Sequence, residues 1–382
     1  MQEIRKNRSV QQHCFMCGIA LESHNSSDEH ILLNALGGHL HSPSLLCKTC
    51  NSTLGRESDN ELARELNYAA SYLNIPRQRG ENQIIITSEE ETYDLLPGGK
   101  PQLKKPIVKT QISETGGKVE IVARSKEEAQ IIIKDLAKKH SAIDINEALQ
   151  HMTVREEYLG KKIGFKTSFH AARIYPSIIK SAVEYYLLCG GSKEYISHLI
   201  PYIKGELDGG ECCKYFYPAE PWFASEADEI LHILYVRGCT QNRMLYGFVS
   251  YFGIIQCLVL LNDHYDGPDV DQGYAYNVMT RAKKAISPKY QLDRAEVLKR
   301  IALPYDKHIE TMLLYGNEFL RKAEKYKIHE HWELMLRKAW DKTIGQYPEG
   351  TVVTNKMVHE FTDEFSVLAG PWLAAHLKHE DS

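Results

Sequence analysis

Apolar and polar positions change their period several times along this chain. "NELARELNYAASYL" is apolar at helical spacing and predicts a helix over about 59–73, which Pro76 and Gly80 of "NIPRQRGENQ" end. From 83 to about 122 the pattern shortens to strands, "IIIT", "TYDLL", "PIVKTQI" and "KVEIVA", with glycine turns at "PGGK" and "TGGK". "SKEEAQIIIKDLAKKH" reads as a helix opened by Ser125, with Glu128 three residues on completing a capping box. Beyond about 165, long helical patterns dominate: "ARIYPSIIKSAVEYYLLCG", "SKEYISHLIPYIKG" and "DRAEVLKRIALPYDKHIETMLLYGNEFLRKAEKYK". Between them "EILHILYVRG" and "LYGFVSYFGIIQCLVLLND" are dense in aliphatic and aromatic residues and predict buried strands flanked by helices. The expected fold class is α+β, with a module over 1–75, a small α+β segment over 76–150 and a larger, mainly helical α/β domain over 151–382.

Composition narrows the function classes. With 43% hydrophobic and 25% charged residues, the 382-residue chain reads as a soluble globular protein. Its apolar runs predict neither a signal peptide nor a membrane span, so a cytoplasmic location is expected. In that reducing setting paired cysteines bind metal rather than form disulfides. A net charge of −4 supplies no general basic field, so any nucleic acid must be held by local basic patches.

The chemistry concentrates in "CFMCGIALESHNSSDEHILLNALGGHLHSPSLLCKTCN", residues 14–51. Cys14 and Cys17 form one C-x2-C pair, and Cys47 and Cys50 another. Two such pairs, each on a tight turn, suit a closed tetrahedral zinc site with a structural role. So small a module has little core, and metal binding supplies much of its folding free energy. Cys189, Cys212, Cys213, Cys239 and Cys257 lack this spacing and read as packing residues. Inside the clamp a strand is expected to carry Glu29 and His30, followed by a turn at Gly37-Gly38, and a short helix starting near Cys47 to carry Asn51. The carboxylate and amide oxygen suit a hard divalent cation, and the neighbouring imidazole can take a proton from water. That is the chemistry of one-metal phosphodiester hydrolysis. His24, His39 and His41 sit in polar turns and read mostly as solvated residues.

C-x2-C, then Glu-His-Ile, then Gly-Gly, then L-C-x2-C-N resembles the HNH endonuclease family, and most of all its subgroup with a four-cysteine zinc clamp. The resemblance covers residues 14 to about 55. It implies a ββα-metal fold, His30 as general base, Glu29 as the first metal-binding acid and Asn51 as the metal ligand on the helix, with magnesium or manganese acting on DNA. The family's middle asparagine, which orients the base, falls near 42–44, where this chain has "SPS", so Ser42 or Ser44 takes that place; Asn34 stands where many relatives have proline. Bacterial chains of this layout resemble restriction, antiphage-defence or mobile-element nucleases.

The C-terminal domain is expected to recognise DNA, a regulatory ligand or a protein partner; RNA as substrate and self-association are left open. Two basic stretches are candidates for backbone contact: Lys100, Lys104, Lys105 and Lys109 in "GGKPQLKKPIVK", and Arg321, Lys322, Lys325, Lys327, Arg337 and Lys338 interleaved with Trp332 and Trp340. For the second, a solvated helix face with inward-packed aromatics is the favoured reading. The acidic turns "GELDGGECC" and "NDHYDGPDVDQG" lack calcium-loop spacing and read as ordinary loops. The expected function is a metal-dependent DNA endonuclease; the alternative is a non-catalytic zinc-ribbon module that binds nucleic acid or protein.

Overall fold

The structure, a computed structural model, describes residues 12–77, 81–113, 116–140, 143–153, 159, 163–165, 170–304 and 309–380. It is α+β, and its contacts group the chain into two compact units that interleave in sequence: Met1–Gln83 with Thr167–Lys325, and Ile84–Lys166 with Tyr326–Ser382.

The first unit opens on a tight knuckle, in which Cys14 N–H donates to Ile19 O and Gly18, at φ 78°, donates back to Cys14 O. Strands β1 (Ser26–His30) and β2 (His41–Cys47) pair antiparallel with a bulge between Ser27 and Glu29. Helix α1 (Lys48–Leu54) follows directly and runs through a wider π-type turn, Gly55–Asp59, into α2 (Asn60–Glu65) and α3 (Asn67–Tyr72). The Gly-Gly of the turn has a steric cause. Gly37 sits at φ 84°, and a Cβ on Gly38 would lie 2.2 Å from Leu32 O.

The other unit begins with two hairpins, β3 (Tyr93–Leu96) with β4 (Lys100–Leu103) and β5 (Ile107–Ser113) with β6 (Gly116–Val122). Helices α4 (Lys126–Lys139) and α5 (Ile145–Gln150) follow. Ser125 caps α4 as expected, accepting from Glu128 N–H, but the Glu128 carboxylate accepts from Arg124 N–H instead of closing a box on Ser125.

The chain then returns to the first unit. Helix α6 (Ala171–Leu188), a single turn α7 (Ile200–Ile203) and strands β7 (Cys213–Tyr215), β8 (Leu231–Cys239), β9 (Met244–Tyr251), β10 (Ile255–Asn262), β11 (Val270–Asn277) and β12 (Lys283–Ala285) build it. The strands form one antiparallel sheet of order β12-β11-β8-β9-β10-β7. The apolar run expected as strand is in fact the hairpin β9–β10, turning at Phe252 and Gly253, both with positive φ. Both faces of the sheet are covered, which is why β9 is buried at every position. Leu234, Val236, Leu245 and Val249 join a core shared with α6 and the N-terminal module, including Leu32, Leu36, Leu46 and Leu54. On the opposite face Ile233, Tyr235, Tyr246 and Phe248 pack with Trp222, Phe223 and residues of α8 (Arg294–Ile301).

Helix α9 (Ile309–Lys342) begins in the first unit and ends in the second, where α10 (Asn355–Glu380) pairs with it. There Trp332 packs on Phe365 and Trp372, as expected of an inward-packed aromatic, whereas Trp340 touches Phe361 but stays 48% exposed. No described helix is long and apolar enough to cross a membrane.

Candidate active site and metal centre

The cysteine clamp assembles at the junction of the knuckle and α1. All four Sγ atoms of Cys14, Cys17, Cys47 and Cys50 lie within 4.8 Å of one another, with Cys17 and Cys47 3.8 Å apart. A zinc–sulfur bond of about 2.3 Å puts the sulfurs of a tetrahedral site about 3.8 Å apart, so the donor set fits structural zinc. Burial pushes the Cys14 and Cys50 thiols up, and a bound cation is what draws them into the thiolate form. Cys47 also caps α1, its sulfur accepting from Cys50 N–H at 3.4 Å. A metal held there would therefore set the start of the helix that carries Asn51.

Strand β1 directs its two candidate residues differently, as neighbours on a strand must. His30 is half-buried and lies directly opposite His41 in the register, with ring centroids 5.6 Å apart. Burial, and after it the field of His41, holds the His30 pKa below the ordinary imidazole value, which favours the neutral, proton-accepting form. His41 in turn meets Asp28 at 2.7 Å, Nδ1 to Oδ1. Ser42 and Ser44 hydrogen-bond to each other at 2.8 Å, and among the described residues neither bonds to His30. His41 is the side chain beside the candidate base.

Glu29 turns inward and is 2% exposed. Its Oε1 accepts from Lys180 Nζ of α6 at 2.7 Å, and the same ammonium donates to Asp59 Oδ2 at 2.5 Å. Ser177 Oγ, one turn earlier on α6, donates to Asp59 Oδ1 at 2.7 Å. Burial works against the Lys180 charge, but Asp59, Glu184 and Glu29 outweigh it and hold its pKa well above the ordinary value. Desolvation raises the Glu29 carboxyl against the pull of Lys180, and raises Glu184 well above the ordinary carboxyl value. Glu29 Oε2 is buried without a hydrogen-bond partner among the described residues. Asn51 Nδ2 donates to Ser27 Oγ of β1 at 2.6 Å, so the amide oxygen is the atom it could offer a cation. A carboxylate oxygen with no partner and an amide oxygen on the adjoining helix are donors suited to a hard divalent cation.

A further histidine locks the module to the sheet. His232 of β8 is fully buried, and burial depresses its pKa to about 4, so it is neutral. Its Nδ1 accepts from Phe252 N–H at 3.1 Å, so the proton is on Nε2, which donates to Leu36 O at 2.7 Å.

Several of the other candidates fall into structural roles. Lys104 donates to Thr87 O and Ser88 O, while Arg321, Lys322, Lys325 and Lys327 pair with Glu318, Asp228 or Glu330, the solvated face expected of them. In the acidic turns Asp208 accepts from Gly210 N–H, Asp269 from Thr240 N–H, and Asp271 pairs with Arg237. Cys212, Cys213 and Cys257 are buried core residues.

A strand pair and following helix, clamped by four thiols and carrying Glu-His at one end and Asn on the helix, define a ββα nuclease-type module. A family model described as HNH endonuclease matches residues 14–67, and those residues form an HNH endonuclease-family module, as the sequence resemblance implies. No curated protein and no solved structure matches the chain significantly. At family level the match supports nuclease activity on nucleic acid.

Proposed function

We propose that this chain is a metal-dependent HNH endonuclease that hydrolyses phosphodiester bonds in DNA, of the restriction, defence or mobile-element kind that its layout resembles. The observation that carries the reading is Glu29 Oε2, a buried carboxylate oxygen without a partner among the described residues, next in sequence to a histidine held toward its neutral form. A magnesium or manganese ion held by Glu29 and Asn51 would stabilise negative charge on the attacked phosphate and the leaving oxygen. His30 takes the proton of the attacking water as general base. His41, paired with Asp28, stands beside it, while Ser42 and Ser44, expected in the place of the family's middle asparagine, bond to each other. Lys180 acts as a positioning residue: by binding Oε1 it fixes the Glu29 carboxylate and leaves Oε2 for the metal. Ser27 fixes the Asn51 amide in the same way.

A second reading, a non-catalytic zinc module, is favoured by one observation. Glu29 is 2% exposed and already neutralised by Lys180, as a purely structural carboxylate would be. Plasmid DNA and RNA incubated with the zinc-loaded chain, with and without magnesium or manganese, separate the two. Metal-dependent strand breaks support the nuclease; intact DNA and RNA under every condition support the binding module.

A further inference from the structure

The edge of the large sheet adds a basic rim beside the candidate base. His232 of β8, Tyr276 of β11 and Lys283 of β12 form one cross-strand row, so their side chains leave the sheet on the same face. That face carries the HNH module: His232 binds Leu36 O, and the His39 ring lies 5.2 Å from the Tyr276 ring. Lys283 therefore projects next to Tyr276 and His39. The next residue, Lys284, points to the opposite face and is held by Glu229 at 2.7 Å. Arg281 sits in the β11–β12 turn at φ 60°, its N–H bonded to Asn277 O. Arg281 and Lys283 are exposed, and neither has an ion-pair partner among the described residues. Their positive fields reach His39, which feels His41 as well. His39 joins the cations to the candidate base: its ring meets Tyr276, the cross-strand neighbour of Lys283, and two residues on His41 lies opposite His30. Asp28, a carboxylate whose field reaches His30, is engaged by His41.

Resting on the nuclease reading above, we propose that Arg281, Lys283 and His39 form a phosphate-binding rim that seats the DNA backbone flanking the phosphate addressed by His30. A chain of net charge −4 attracts DNA only through such local patches. Phosphate contacts fix register and supply affinity without reading sequence. The C-terminal sheet is thus part of the substrate surface as well as a scaffold.

The test is binding of the full-length zinc-loaded chain to a fluorescent DNA duplex over a salt series without added magnesium. The variant Arg281→Asn/Lys283→Gln keeps a residue type that tolerates positive φ at 281. Each lost phosphate contact lowers the slope of log K against log salt by about 0.9, so the double variant is expected to lose about 2 from the slope and bind about tenfold or more weakly at low salt. Its melting temperature should match wild type. Lys289→Ala/Lys299→Ala, an exposed pair elsewhere on the unit, should leave the slope unchanged. If the rim variant keeps the wild-type slope and affinity, the rim is wrong even where wild type cuts DNA. If the slope falls but no protein cuts, the rim stands and the catalytic reading fails. If wild type binds no duplex, both fail.

Discussion

The ammonium of Lys180 lies 2.7 Å from Glu29 Oε1 and 2.5 Å from Asp59 Oδ2, with none of the lysine exposed. One cation from α6, outside the HNH module, thus holds two carboxylates of that module, one on β1 and one at the end of the π-type turn. The module's Glu-His dipeptide is set by a residue 151 positions away.

Removing that cation strands buried negative charge. Lys180→Met is expected to cost about 3–5 kcal/mol in denaturant unfolding, the usual penalty for breaking a buried pair. Adding Glu29→Gln should recover part of the loss, because one orphaned charge is removed. A cost below about 1 kcal/mol would show that the pair is not buried as described.

The anchoring histidine predicts an acid limb in stability. His232 has a folded pKa of about 4 against about 6.5 unfolded. Because the folded value is depressed, the unfolded chain takes up the proton first. Stability is full above about pH 6.5 and is lost as pH falls toward 4, by about 3 kcal/mol from this group. His232→Gln, whose amide can both donate to Leu36 O and accept from Phe252 N–H, should flatten the curve in that window. Unfolding measured at intervals from pH 7 to pH 4 reads it, and an unchanged pH dependence in the variant would contradict the assignment.

The clamp predicts coupled loss of metal and fold. Cys47→Ser should release about one equivalent of zinc and unfold the N-terminal module, because this thiol both ligates and caps α1. Metal analysis with circular dichroism checks it; full zinc occupancy in the variant would rule out the site.

Much of this site could be read from the chain because its determinants are local. The cysteine spacing, the Gly-Gly turn and the placing of Glu29, His30 and Asn51 on strand and helix depend on residues close in sequence, and so did the helix at 126–139. Lys180 was hidden because a lysine inside "SIIKSAVEYY" reads as a solvent-facing position on an amphipathic helix. Only the two carboxylates brought by another part of the chain let it be buried. His41 read as a solvated turn residue, and the β1–β2 register that puts it opposite His30 is set by a bulge no pattern announces. The β9–β10 hairpin was hidden because Phe252-Gly253 is no standard turn pair; His232 holds Phe252 in place from another strand.

Ser27 should matter to the catalytic cation and not to zinc. Ser27→Ala removes the acceptor that orients the Asn51 amide. The magnesium concentration for half-maximal cleavage is expected to rise about 10–100-fold, as is usual when the partner of a ligand is lost. Zinc content should stay at the wild-type level, and a fall in zinc would mean that Ser27 supports the clamp instead.

The most direct test of the central claim is the single-turnover rate of plasmid nicking in magnesium by wild type and His30→Ala, both with full zinc occupancy. The wild-type chain is predicted to nick, and the variant to be slower by about 10²–10⁴-fold. Equal rates in the two proteins, or no nicking by either, would contradict His30 as the base.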